Sequence, residues 1–99
     1  MKKWRMRFTP EVSRLVAKLH PENKGQLKQA LNELRQTPFI GKDLQEELFG
    51  FMSLRSKKYR VIYAVNEEAN CIEIYHIGRR SDVYEQFRRL LTQLQIPDK

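Results

Sequence analysis

The chain has a single cysteine, Cys71, and two histidines, His20 and His76. One cysteine excludes an internal disulfide and a cysteine-rich zinc site, and two histidines so far apart match no metal-ligand spacing. No apolar run approaches the roughly 18 residues that a membrane span needs. The basic start, Met1-Lys2-Lys3-Trp4-Arg5-Met6-Arg7, leads into no apolar segment of the kind a signal peptide carries. Repeats, low-complexity stretches and linkers are also missing, and glycine and proline number only 4 each. One domain over residues 1–99 is expected, cytoplasmic, with no metal and no small-molecule cofactor.

Acidic residues are scarce relative to basic ones: 12 Asp+Glu stand against 19 Lys+Arg, a formal net charge of +7. With 40% hydrophobic and 10% aromatic residues the balance is that of a globular chain, not a disordered one. A strongly basic domain suits a polyanionic partner, nucleic acid or an acidic protein, although basicity also serves plain solubility. The cations are grouped. Arg55, Lys57, Lys58 and Arg60 crowd one stretch, Arg79-Arg80 and Arg88-Arg89 another. A fold that joins these stretches makes a cationic pocket.

The element order reads β-α-α-β-β-β-α, an α+β fold with a single antiparallel-rich sheet, an N-terminal helical hairpin and a C-terminal helix. Residues 2–8 alternate as a strand, with Trp4, Met6 and Phe8 on one face. Thr9 is a natural N-cap and Pro10 suits the first helical position. Val12, Leu15, Val16 and Leu19 form the apolar stripe of that helix, which His20-Pro21 closes. A second helix covers residues 23–36, with Leu27, Ala30, Leu31 and Leu34 on one side, and a loop runs on to about residue 47. Strands are expected at 48–55, 59–66 and 71–77, joined by hairpin-length connections into an antiparallel meander. A last helix starts near Asp82, where Asp82 and Glu85 have capping-box spacing, and buries Val83, Phe87, Leu90, Leu91 and Leu94.

Alternation along 59–66 puts Tyr59, Val61, Tyr63 and Val65 toward the helices and turns Arg60, Ile62 and Ala64 to the opposite face. Gly78-Arg79-Arg80-Ser81-Asp82-Val83-Tyr84 carries two arginines from a strand end into a helix start within four residues. Guanidinium groups grip phosphate in a bidentate fork, and free N–H groups at a helix start attract anions. The opposing reading leaves these arginines in solvent with Asp82 as a simple cap. Tyr84 and Arg88 share one helical face. RNA cleaves itself through its 2′-hydroxyl when given a base, an acid for the leaving 5′-oxygen and cations for the phosphorane. Arginines and a tyrosine supply most of these without a metal. His76, on a strand face with Ile72 and Ile74, reads as structural. His20 reads as a helix-end residue near unpaired carbonyls, and Cys71 as core at a strand start.

The stretches Phe51-Met52-Ser53-Leu54-Arg55-Ser56-Lys57-Lys58-Tyr59-Arg60-Val61-Ile62-Tyr63 and Ile77-Gly78-Arg79-Arg80-Ser81-Asp82-Val83-Tyr84 resemble the RelE/ParE superfamily of toxins. Chain length, basicity and element order agree across nearly the whole chain. The resemblance implies the toxin half of a type II toxin–antitoxin pair. The RelE branch enters the ribosomal A site and cleaves mRNA, whereas the ParE branch poisons DNA gyrase. By position, Arg60 matches the family's strand arginine at the scissile phosphate, Arg79 or Arg80 its second arginine, and Tyr84 the C-terminal tyrosine of RNA-cleaving members. Some active members carry lysines on the strand before the hairpin, where this chain has Phe51 and Ser53. The expectation is a ribosome-dependent mRNA endoribonuclease with a cognate antitoxin. Arg60, Arg79, Arg80 and Tyr84 would be catalytic, and Arg55, Lys57, Lys58 and Arg88 would hold RNA. A gyrase inhibitor, or a catalytically weak RNA- or ribosome-binding module, is the alternative.

Overall fold

In a computed structural model, the structure describes residues 4–79 and 83–94. The strands are β1 (Arg5–Phe8), β2 (Lys42–Asp43), β3 (Met52–Ser56), β4 (Tyr59–Asn66) and β5 (Cys71–Arg79). The helices are α1 (Pro10–Ala17), α2 (Pro21–Gln36) and α3 (Val83–Leu94), with a 3-10 turn at Glu46–Leu48. The strands form one mixed sheet in the order β1-β5-β4-β3-β2. The β1–β5 pair is parallel and the other pairs are antiparallel. The expected α+β class and helical order are borne out.

The local reasons for the elements are visible. Thr9 Oγ1 accepts from the Val12 N–H at 3.2 Å and Pro10 opens α1, as expected of a cap and a first-turn proline. Pro21, however, begins α2 rather than only ending α1, because a proline ring suits the first helical turn. His20 is therefore the residue before α2, its carbonyl accepting from the Lys24 N–H at 2.9 Å, and not a C-terminal residue of α1. The expected loop at 37–47 contains β2 and most of the 3-10 turn, and β3 starts at Met52 rather than at residue 48. Lys57 takes a positive φ of 42° in the two-residue turn between β3 and β4.

The sheet is covered on both faces. On one, α1 and α2 pack Val12, Leu27, Ala30 and Leu34 against Leu54, Tyr59, Val61, Tyr63, Ile72, Ile74 and Ile77. On the other, α3 packs Val83 and Phe87 against Ile62, Leu44 and Leu48, with Phe51, Tyr75 and Tyr84 at the margin. A buried phenylalanine such as Phe87 is typically worth about 3–5 kcal/mol against alanine. The alternation read along β4 holds: its odd-numbered residues meet the helical hairpin and Ile62 lies under α3.

β5 breaks that alternation. Ile62 pairs with His76, but Tyr63 pairs with Ile74, so Tyr75 is the extra residue of a bulge. The bulge keeps Ile77 and Ile74 on the same face and turns His76 to the α3 side. The expectation that His76 shares a face with Ile72 and Ile74 is thereby corrected. Its ring stacks on Phe87, with centroids 5.9 Å apart, and Nε2 lies 3.3 Å from Gln86 Oε1.

Candidate active site

Arg60 is the second residue of β4, opposite Arg55 on β3 and Gly78 on β5. It shares the sheet face of Ile62, the face that α3 covers. α3 is fixed by Val83 and Phe87, both 0% exposed, and Tyr84 follows Val83 in its first turn. The result is a direct contact between two residues distant in sequence. Arg60 Nη1 donates to the Tyr84 phenol oxygen at 2.9 Å, and the guanidinium carbon lies 5.4 Å from the tyrosine ring centroid. Ser53 of β3 completes a triangle. Its Oγ is 3.0 Å from the Tyr84 oxygen and accepts from Arg60 Nη1 at 3.3 Å. Arg60 is expected on the sheet face away from the helical hairpin, and it is on that face that it meets Tyr84.

The electrostatics of this spot are one-sided. Arg55 and Arg60 stand directly opposite across β3 and β4, and like charges so placed destabilise a sheet. Among the described residues neither arginine forms an ion pair with a carboxylate; the pairs present are Arg7–Glu73, Arg88–Glu47 and Arg89–Glu85. Arg60 uses Nη1 within the protein, while its buried Nε has no hydrogen-bond partner. An anion set against Arg60 meets a charge that no carboxylate neutralises among the described residues. Among the described residues no cluster of three or more His, Cys, Asp or Glu could hold a metal ion.

The other expected site residues fall in different places. Arg79 ends β5 opposite Tyr59, whose side chain lies in the helical-hairpin core, so the register assigns Arg79 to the hairpin face rather than to Arg60's. Arg80 lies outside the described residues, as do Ser81, the expected cap Asp82, Pro97 and the side chain of Leu94. Arg55, Lys57 and Lys58 are exposed at the tip of the β3–β4 hairpin. Arg55 and Lys57 also line a polar groove of about 490 Å³ with Gln26, Gln29, Asn32 and Gln36 of α2. Arg88 is exposed but engaged, its Nε 3.0 Å from Glu47 Oε1 in the 3-10 turn. Ser53 was not among the expected site residues, and neither was Glu47. The signal for Ser53 was available in period-two alternation, because it lies two positions before Arg55 on one strand and so shares a face with Arg55 and Arg60.

The family described as the ParE toxin of the type II toxin–antitoxin system parDE matches residues 3–84. Toxin RelG of Mycobacterium tuberculosis is 31% identical over 83 residues, covering 82% of this chain and 95% of that protein. Toxin RelE of the same organism is 44% identical over a shorter span of 45 residues, 46% of each chain. Among solved structures, the RelBE2 toxin–antitoxin complex of M. tuberculosis aligns with a TM-score of 0.73 at 30% identity, covering 83% of this chain and 97% of that one. The isolated Escherichia coli RelE toxin shares the fold, with a TM-score of 0.68 at 22% identity over 89% of this chain and 98% of that one. The β-α-α-β-β-β-β-α order and these likenesses together place the chain in the RelE/ParE superfamily, among the toxins of type II toxin–antitoxin systems.

Proposed function

We propose that the chain is a ribosome-dependent mRNA endoribonuclease that works without a metal and is neutralised by a cognate antitoxin. The observation that carries this reading is the 2.9 Å hydrogen bond from Arg60 to Tyr84 on a sheet face with excess positive charge. A cation and a phenol that share one spot suit phosphodiester cleavage. The 2′-oxygen of RNA attacks phosphorus, and the P–O5′ bond breaks with its electron pair left on O5′. Arg60 lies where it can meet the phosphorane charge, and Tyr84 where it can protonate O5′; the 2′ proton passes to water. With Arg79 on the helical-hairpin face, the second arginine of this reading is Arg80. Arg55, Lys57, Lys58 and Arg88 hold the RNA backbone or the ribosome, and at Arg88 that binding competes with Glu47.

The likeness to toxins named RelG and RelE favours the RelE branch of the superfamily, and the RelBE2 toxin–antitoxin complex supports an antitoxin partner. Among the described residues no helix is long and apolar enough to cross a membrane; the proposed target, mRNA on ribosomes, puts the action in the cytoplasm. A second reading, inhibition of DNA gyrase, is favoured by the ParE description of the matching family. Induced expression separates the two. Translation arrest with mRNA cuts at ribosome-occupied codons supports the ribonuclease. Intact mRNA with gyrase-dependent DNA breaks overturns it in favour of the gyrase reading. Ribosome binding without cuts overturns it in favour of a binding module. Copurification with the product of the neighbouring short reading frame tests the antitoxin.

A further inference from the structure

We propose that Ser53 is a positioning residue for Tyr84: its Oγ–H donates to the phenol oxygen and thereby turns the phenol's own proton outward, toward the scissile phosphate. This role rests on the RNA-cleavage reading above, but the hydrogen-bond arrangement does not. Three atoms form the triangle: Arg60 Nη1, the Tyr84 oxygen and Ser53 Oγ, with edges of 2.9, 3.0 and 3.3 Å. Arg60 donates along both of its edges, since a guanidinium has no acceptor. The remaining edge, between two hydroxyls, has two possible directions.

Satisfaction of the hydroxyl hydrogens decides between them. Ser53 is 3% exposed, and among the described residues its hydroxyl has no partner beyond Arg60 and Tyr84. If Tyr84 donated to Ser53, the serine oxygen would accept twice and its own hydrogen would be buried with nothing to receive it. If Ser53 donates, no buried hydroxyl hydrogen is left over. Serine accepts from Arg60 and donates to Tyr84, the phenol oxygen accepts twice, and the half-buried Tyr84 directs its hydrogen outside the triangle. The same arrangement serves the chemistry. When the phenol proton moves to O5′, the oxygen left behind already faces two donors, Arg60 Nη1 and Ser53 Oγ–H, and needs no reorganisation.

Two measurements test this. In the free protein, dissolved in an equal mixture of light and heavy water, a hydroxyl that exchanges slowly splits the signal of its carbon. The Ser53 13Cβ line should split and the Tyr84 13Cζ line should not. A split Tyr84 line, or a single Ser53 line, overturns the assigned direction whether or not the protein cuts RNA. The second measurement is single-turnover cleavage on programmed ribosomes. Ser53→Ala should lower the saturating rate about 10- to 100-fold, the equivalent of one hydrogen bond to a charged group, with half-saturation unchanged. Ser53→Thr, which keeps the hydroxyl, should restore it. Full activity in Ser53→Ala overturns the positioning role. A wild-type protein that cuts no RNA removes the cleavage reading and with it that role, while the carbon lines still judge the triangle.

Discussion

Arg60 and Gly78 face one another across β4 and β5, and the space left by the missing Gly78 side chain is filled by α3. A Cβ at Gly78 would stand 3.0 Å from Gln86 Oε1, 3.1 Å from Val83 Cγ2 and 3.4 Å from His76 Nε2. Gln86 can swing aside, but Val83 is fully buried and cannot. Gly78→Ala should therefore push the start of α3 outward by a few tenths of an ångström and draw Tyr84 off Arg60. The expected cost is about 1–3 kcal/mol of stability from overpacking, read by urea denaturation, together with slower cleavage. A Gly78→Ala protein as stable and as active as wild type would show that α3 does not depend on this close approach.

The roles of Arg60 and Tyr84 separate by substitution. Arg60→Ala removes a donor aimed at charge that grows in the transition state, which typically costs about 10²–10³ in rate. Tyr84→Phe removes only the hydroxyl, so ribosome binding should persist while the single-turnover rate falls by about 10²–10⁴, the usual worth of a positioned proton donor. His76 is the control, because its ring is spent on Phe87 and Gln86. If Tyr84→Phe cleaves at the wild-type rate while a folded His76→Gln protein is inactive, the acid/base is His76.

Cations at the hairpin tip should behave differently from Arg60. Lys57 and Lys58 are exposed, and Lys57→Ala or Lys58→Ala should weaken ribosome binding and reduce its log–log salt slope by about one unit each, as the loss of one phosphate contact does. The cleavage rate of the bound complex should hold. An unchanged salt slope would remove these lysines from the RNA interface.

What the sequence made legible follows from periodicity. β4 alternates without interruption, so the faces of Tyr59 through Val65 and the outward turn of Arg60 could be read directly. The apolar stripe of α2 was equally plain, and the resemblance assigns Arg60 and Tyr84 to one catalytic set. β5 could not be read the same way, because the extra residue at Tyr75 inverts the faces on its C-terminal side and moved His76 to α3. β2 is two residues long and has no period to detect. Alternation puts Ser53 on Arg60's face, but a neutral strand residue carries no charge to single it out; its role rests on the close approach of two elements.

Arg88 poses a choice between structure and binding. Its 3.0 Å contact with Glu47 is an exposed ion pair, 50% and 71% accessible at the two side chains, and such pairs typically contribute about 0–1 kcal/mol. Glu47→Ala should thus leave stability nearly unchanged while releasing Arg88. If Arg88 binds RNA, Glu47→Ala should tighten ribosome binding and Arg88→Ala should loosen it. If both variants bind as wild type does, Arg88 belongs to the ion pair alone and leaves the set of RNA contacts.

Tyr63 ties the stability of the sheet to alkaline pH. Its side chain is fully buried. Its hydroxyl donates to the Pro38 carbonyl at 2.9 Å and accepts from the Gly41 N–H at 3.0 Å, pinning the segment before β2 to β4. Burial pushes the phenol above its ordinary value of 10.0; the Asp43 charge adds to the rise and the Gly41 N–H opposes it. Tyr63→Phe leaves a buried carbonyl without its donor, at a cost near neutral pH of about 1–3 kcal/mol. The folded value lies above the unfolded one, so the contribution of the phenol is complete below pH 10 and is lost as pH climbs through the raised value. The variant has no such proton to lose. The stability gap between wild type and Tyr63→Phe should therefore be widest at neutral pH and shrink above pH 10. Tyr75 is also raised, by burial and then by Glu73, but it titrates in both proteins and cancels from the difference. Urea denaturation of the pair across this range provides the check, and a gap that stays constant with pH would mean that the Tyr63 phenol ionises equally readily folded and unfolded.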